Sequence, residues 1–170
     1  MRTLLNGFFQ GLLWLAAVCM AITLLSILVG IVGREVGFST PGVDAYAGYA
    51  IAAALFMALP ATLRNGEHIR VTLLLNRLTG VRRKATEYWC LGMSSVLSVY
   101  LAYYAVRLVW MSYVTHDISP SSDATPLWIP QIAMAVGCIG FAASFIEGLV
   151  LKLMGKTCQL DVPAEIMRSE

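Results

Sequence analysis

The chain has 170 residues, 58% of them hydrophobic and 13% charged, with a formal net charge of +2 and a mean hydropathy of +0.73. So apolar a composition excludes an ordinary soluble domain, and so small a net charge gives no electrostatic footprint for nucleic acid. Four apolar runs, near residues 11–33, 45–63, 88–114 and 126–151, each hold about 20 residues or more, enough to cross a ~30 Å hydrocarbon core as a helix. The expected fold is therefore an all-α integral membrane protein, with residues 1–155 as a single four-helix transmembrane domain and 156–170 as a short cytoplasmic tail.

The first run follows Arg2 and ends at Arg34 and Glu35. Its apolar stretch is longer than a signal-peptide core and lacks a small-x-small cleavage site, so an uncleaved first span is expected. Asp44 opens the second run, where Ala47, Ala50, Ala54 and Ala58 recur at helical spacing. Small residues on one face let membrane helices approach closely. Pro60 is the only proline well inside a span.

A basic stretch follows, with Arg64, Arg70, Arg77, Arg82, Arg83 and Lys84. Within it Val71, Leu74, Leu75 and Leu78 repeat at i, i+3, i+4, i+7, flanked by Arg70 and Arg77, while Ile69 and Leu73 make a second apolar edge. Gly80 is placed to end the helix. The pattern predicts a short amphipathic helix over 67–79 lying in the membrane interface, with Leu74 on its lipid-facing stripe. The plainer alternative is a helical loop that only carries orientation charges.

The third run contains Ser94, Ser95 and Ser98, suited to hydrogen bonds between helices, and Tyr100, Tyr103, Tyr104 and Arg107 deeper in. Arg107 lies two turns from the outer end, within reach of the interface or of an ion pair. Before the fourth run, Asp123 or Thr125 can cap and Pro126 suits the first helical position. Gly140, Ser144 and Gly148 then form a second small-residue stripe.

Ten of the 12 Lys and Arg residues lie at the start, in the 64–84 stretch or in the tail, and the other two connections offer only Arg34. The positive-inside rule then sets both termini and the middle loop in the cytoplasm, with an interfacial helix between spans two and three. Tyr46, Tyr49, Trp110, Tyr113 and Trp128 gather near the outer boundary, and Trp14 and Trp89 near the inner one.

Several chemistries are disfavoured. Cys19, Cys90, Cys138 and Cys158 show no C-x-x-C spacing and read as packing residues. His68 and His116 fall in loops, so no span supplies an axial ligand for a haem. The first two spans hold no carboxylate, against a proton-coupled small exporter. Repeated halves with paired Gly/Pro-broken helices, the mark of a substrate pathway, do not occur. No catalytic, cofactor or metal residue is expected.

The order of features resembles a known family. A span ending in Arg34, Pro-Gly-Val-Asp44-Ala-Tyr opening the next, Gly-Glu67-His68-Ile-Arg70-Val after it, and Ser-Pro before a Pro-initiated fourth span are similar to the small membrane subunit of tripartite ATP-independent periplasmic (TRAP) transporters. The family usually shows Trp with one or two Glu where Asp44 stands alone, and an acidic residue where Thr72 follows His-Ile-x-Val.

The resemblance implies a non-catalytic brace in the bacterial inner membrane. Its partners would be a large multi-span elevator subunit that holds the substrate and sodium sites, a periplasmic substrate-binding protein, and membrane lipid. The cargo would be an organic acid of the dicarboxylate or sialic-acid class. The candidate contacts are Arg34 and Asp44 at the outer turn, Arg107 in a near-surface ion pair, and Glu67, His68, Arg70, Leu74 and Arg77 in the arm. His116, Asp117 and Asp123 would face the binding protein. The competing class is a membrane anchor of a quinone-linked redox complex, using Tyr103, Tyr104 and Arg107.

Overall fold

A computed structural model describes residues 2–38, 42–64, 81–121 and 124–154. The interfacial helix expected over 67–79, with Glu67, His68, Arg70, Leu74 and Arg77, lies outside the described residues, as do Asp123 and the tail. The described chain is all-helical: α1 (Arg2–Val36), α2 (Val43–Arg64), α3 (Val81–Val114) and α4 (Trp128–Leu153). Each is long and apolar enough to cross a membrane.

Both α1 and α3 begin earlier than their apolar runs. At 1.5 Å per residue, α1 (35 residues) and α3 (34 residues) reach about 50 Å, well beyond a ~30 Å core. Hydropathy sees only the part of a helix that sits in lipid; a helix also continues through polar residues where its backbone bonds persist. Such helices project past the hydrocarbon or tilt within it.

The α1–α2 turn is built by two glycines. Phe38 N–H donates to the Gly33 carbonyl (2.8 Å) and Gly37 N–H to the Arg34 carbonyl (3.3 Å), the paired bonds of a Schellman motif, with Gly37 at φ 74°. Gly42, at φ 88°, then accepts from Ala45 and Tyr46 to start α2.

The helices pack in the order α1, α2, α4, α3. Helices α2 and α4 are the inner pair. In one core cluster Ala102 and Ala105 of α3 meet Ala135, Cys138 and Ala142 of α4, with Phe56 of α2 against them. In another, Phe9, Leu12 and Ala16 of α1 meet Met57 of α2, flanked by Ala133, Val136 and Ala143 of α4.

Both predicted small-residue stripes lie at these seams. Ala47 and Ala54 are buried, with Ala50 and Ala58 half-buried, and Gly140, Ser144 and Gly148 are all buried. The tightest point is Gly137. A Cβ there would run into the Phe56 carbonyl, and one on Gly140 would lie 2.9 Å from Leu12 Cδ1 and Pro60 Cγ. The cause is local: Pro60 has no N–H, so the Phe56 carbonyl loses its usual helical donor four residues on. That carbonyl faces the Cα of Gly137, where only a hydrogen fits.

Three local expectations are corrected. The α4 N-cap is Leu127, without a side-chain cap; Thr125 Oγ1 instead donates to the Tyr46 hydroxyl at 3.3 Å, and Pro126 bridges to Ile118 before the helix starts. The serines of α3 bond mainly within their own helix: Ser95 Oγ to the Leu91 carbonyl (2.8 Å) and Ser98 Oγ to the Ser95 carbonyl (2.9 Å). A hydroxyl on a helix finds its own preceding turn closer than a neighbour's backbone, and only Ser95 also reaches across, to the Phe145 carbonyl at 3.5 Å. Cys138 is buried and Cys19 half-buried, whereas Cys90 is exposed on α3.

Candidate functional site

The chemistry of the described residues lies at the two ends of the bundle and on the outward face of α3. Among the described residues no three His, Cys, Asp or Glu side chains cluster as metal ligands.

At one end, two ion pairs join three helices. Arg64, the last residue of α2, places Nη2 3.8 Å from Glu147 Oε2 of α4. Lys152 of α4 places Nζ 2.9 Å from Glu87 Oε2 of α3. All four side chains are only 17–22% exposed. Helix α1 joins through Phe9, whose ring lies 4.5 Å under the Arg64 guanidinium. Tyr88 O–H donates to the Lys152 carbonyl at 3.2 Å, and Lys152 Nζ sits 5.9 Å from the Tyr88 ring. Opposite charges at one level, largely withdrawn from water, hold the helix ends in register.

Neither pair was visible as a pair in the sequence. Glu147 lies six residues before the end of α4, and nothing in that run names its partner. The available signal was the level: Arg64 closes α2, Glu87 lies near the start of α3, and Glu147 and Lys152 lie near the end of α4.

At the opposite end residues 115–121 and 124–127 fold back on the start of α2. Their backbone closes through Ser119 N–H to the Thr125 carbonyl (2.9 Å) and Leu127 N–H to the Asp117 carbonyl (3.0 Å). The Tyr49 hydroxyl donates to Ser119 Oγ at 2.6 Å, and that oxygen also accepts Ser121 N–H at 3.2 Å. Two positive-φ residues, His116 (53°) and Ala124 (47°), make the bends. Tyr46 and Tyr49, assigned from sequence to the membrane boundary, thus also anchor a loop. His116 and Asp117 are exposed at its start.

The remaining predicted residues divide. Arg34 Nη2 lies 3.2 Å from Asp44 Oδ2 across the α1–α2 turn, with both side chains about four-fifths exposed (78% and 80%). Arg107, expected in an ion pair, makes none among the described residues. It stands on the outward face of α3, where Tyr103, Tyr104, Trp110 and Met111 are its neighbours one turn away and none is acidic. Its guanidinium lies 6.0 Å from the Tyr104 ring.

Four apolar helices in an up-and-down bundle, with charges collected at the ends, define a multi-pass membrane protein. Residues 23–154 match the family described as tripartite ATP-independent periplasmic transporters, DctQ component. The chain belongs to that family, and is thus the small membrane subunit of a tripartite transporter. The match runs from the middle of α1 to the end of α4. No curated protein and no solved structure matches the chain.

Proposed function

We propose that this subunit is a non-catalytic brace for a large elevator-type membrane subunit that imports an organic acid, of the dicarboxylate or sialic-acid class, with sodium. A periplasmic binding protein delivers the acid. The observation that carries the reading is the α2–α4 seam, filled by backbone and small side chains: Pro60 and Cys138 are fully buried, and Gly137 meets the Phe56 carbonyl with room for hydrogen alone. Such a seam suits a part that stays still while another crosses the bilayer. It leaves the substrate and sodium sites to the partner.

The positive-inside rule puts the Arg64 end, both termini and the 65–80 segment on the cytoplasmic side of a bacterial inner membrane. The described residues between α3 and α4, with His116 and Asp117, then face the periplasm and the binding protein. The arm helix over 67–79 is part of this proposal. The quinone-anchor reading would need Tyr103, Tyr104 and Arg107 to line a pocket, but all three point outward from α3.

The test is to tag the chain in its own cells, extract it in mild detergent and identify what co-purifies. A stoichiometric larger multi-span protein, giving sodium-dependent uptake in proteoliposomes only with this chain present, is the expected result. A soluble flavin or iron–sulfur partner, or a lone homo-oligomer, would overturn it.

A further inference from the structure

Helices α1 and α3 both turn most of their surface away from the bundle, yet the two surfaces differ in chemistry. On α1 the outward residues between Trp14 and Val32 are apolar: Val18, Leu25, Leu28 and Val32 are all exposed, and the run holds only Thr23 and Ser26 as polar residues. Thr23 is buried and donates to the Cys19 carbonyl of its own helix at 2.9 Å. That face asks nothing of its surroundings beyond hydrocarbon.

The outward face of α3 does. Tyr100, Tyr103, Tyr104 and Arg107 follow the i, i+3, i+4, i+7 spacing of one helix face, opposite the buried Ser95, Ser98, Ala102 and Ala105. Tyr103 is 62% exposed and Tyr100 58%. The rings form one cluster, with centroids 4.5 Å apart for Tyr100–Tyr104 and 5.4 Å for Tyr103–Tyr104. Arg107 adds a charge above Tyr104 and has no carboxylate partner among the described residues.

Depth makes this face costly in lipid. Tyr103 lies eleven residues before Val114, so its Cα is about 16 Å along the helix from that end, inside the span. Arg107 is about 10 Å from that end and can snorkel part of the way, but a tyrosine at Tyr103 depth cannot bring its hydroxyl to the interface. Tyrosines that meet lipid belong at the interface, where Tyr46 and Tyr113 already sit. Lipid chains offer no acceptor for these hydroxyls or for the guanidinium, whereas a facing protein helix does.

We propose that the Tyr100–Tyr103–Tyr104–Arg107 face of α3 is where this chain meets the large membrane component, which presents a carboxylate or free carbonyl to Arg107. The outward face of α1 meets lipid. This rests on the transporter-subunit reading, and it adds which side of the brace is protein-facing.

The test uses the intact transporter in its native membrane. Tyr103 and Leu25 are replaced one at a time by the photo-crosslinking residue p-benzoylphenylalanine, and adducts formed on illumination are identified by mass spectrometry. The expected result is an adduct with the large component from the Tyr103 position and lipid adducts alone from the Leu25 position. In parallel, Arg107→Gln should lower the amount of large component recovered with the tagged chain by about tenfold, and Leu25→Ala should leave it unchanged. Adducts to the large component from Leu25, or lipid adducts alone from Tyr103, would overturn the assignment of faces while leaving the subunit reading intact. Failure of the unsubstituted chain to recover a large component at all would overturn both.

Discussion

The inner helices α2 and α4 and the flanking helices α1 and α3 solve different problems with the same composition. In the most apolar stretch of α2 and of α4, 39% of residues are buried; in α1 and α3 the figures are 17% and 22%. Each flanking helix buries one narrow stripe. On α1 it runs Phe9, Leu12, Ala16, Thr23, Gly30; on α3, Ser95, Ser98, Ala102, Ala105, Ser112. Both follow the three-, four- and seven-residue steps of a helix that packs on one side only. By contrast, α4 buries Ala135, Gly137, Cys138, Gly140, Ala142, Ser144 and Gly148, which covers two sides. Lipid removes the hydrophobic drive for helices to associate, so close packing of small residues must supply it. A helix with neighbours on both sides needs small residues on both. A flanking helix keeps a free face whose chemistry is then open to other uses.

The contrast is broken most directly at its glycines. Gly137→Leu forces a side chain into the Phe56 backbone, which cannot move aside as a flexible side chain would. A loss of about 3 kcal/mol or more is expected, seen as a collapse of folded, monodisperse protein in detergent. Gly92→Ala on α3 is the control: its added Cβ meets nothing within 4 Å, so the change should be neutral or stabilising by ~0.5–1 kcal/mol through helix propensity. Equal behaviour of the two variants would remove the distinction between inner pair and flanks.

The next largest effect lies where the inner helices are pinned to each other. Glu147→Gln leaves the Arg64 charge in a largely buried position, so stability should fall by about 2 kcal/mol, between the values for exposed and fully buried pairs. The double change Arg64→Gln with Glu147→Gln should recover about half of that loss in thermal unfolding, because the guanidinium no longer has to be held away from water with its carboxylate removed. A double variant destabilised by the sum of the two single losses would mean that the two side chains act independently.

Much of this architecture is legible in the residues. Hydropathy marks all four spans, and alanine and glycine spacing marks the seams. The short separation of Arg34 and Asp44 in the chain makes them natural neighbours. The cross-helix partners are another matter. Arg64 with Glu147, and Glu87 with Lys152, follow from the packing order α1, α2, α4, α3, and nothing in the periodicity of one helix states which helix lies beside it. Gly137 escaped for a related reason: it lies off the Gly140–Ser144–Gly148 stripe and matters through Pro60 on another helix. Arg107 was expected at the interface or in a near-surface ion pair; it stands exposed on the outward face of α3, with no ion pair among the described residues.

Smaller effects separate the two ends. Tyr49→Phe removes one hydrogen bond to Ser119 and should cost about 1 kcal/mol. The sharper readout is amide exchange, which should rise at Ser119 and Ser121 and stay unchanged along α4. Exchange that does not change would show that the backbone bonds alone hold the loop.

The Arg34–Asp44 pair should have the smallest effect, although its 3.2 Å separation is shorter than the 3.8 Å of Arg64–Glu147. Distance is the weaker variable here. Water around two side chains that are 78% and 80% exposed screens the attraction, and both must be ordered to meet, so the net value is at most about 1 kcal/mol. Arg34 and Asp44 also serve the last turn of α1 and the first turn of α2, where their charges oppose the helix dipoles. Arg34→Gln should therefore lower the melting temperature slightly at low salt and not measurably at high salt. Glu147→Gln should lower it at both. If the order were reversed, proximity would outweigh burial in this bundle, and the inner pair of helices would owe its rigidity to its small residues alone.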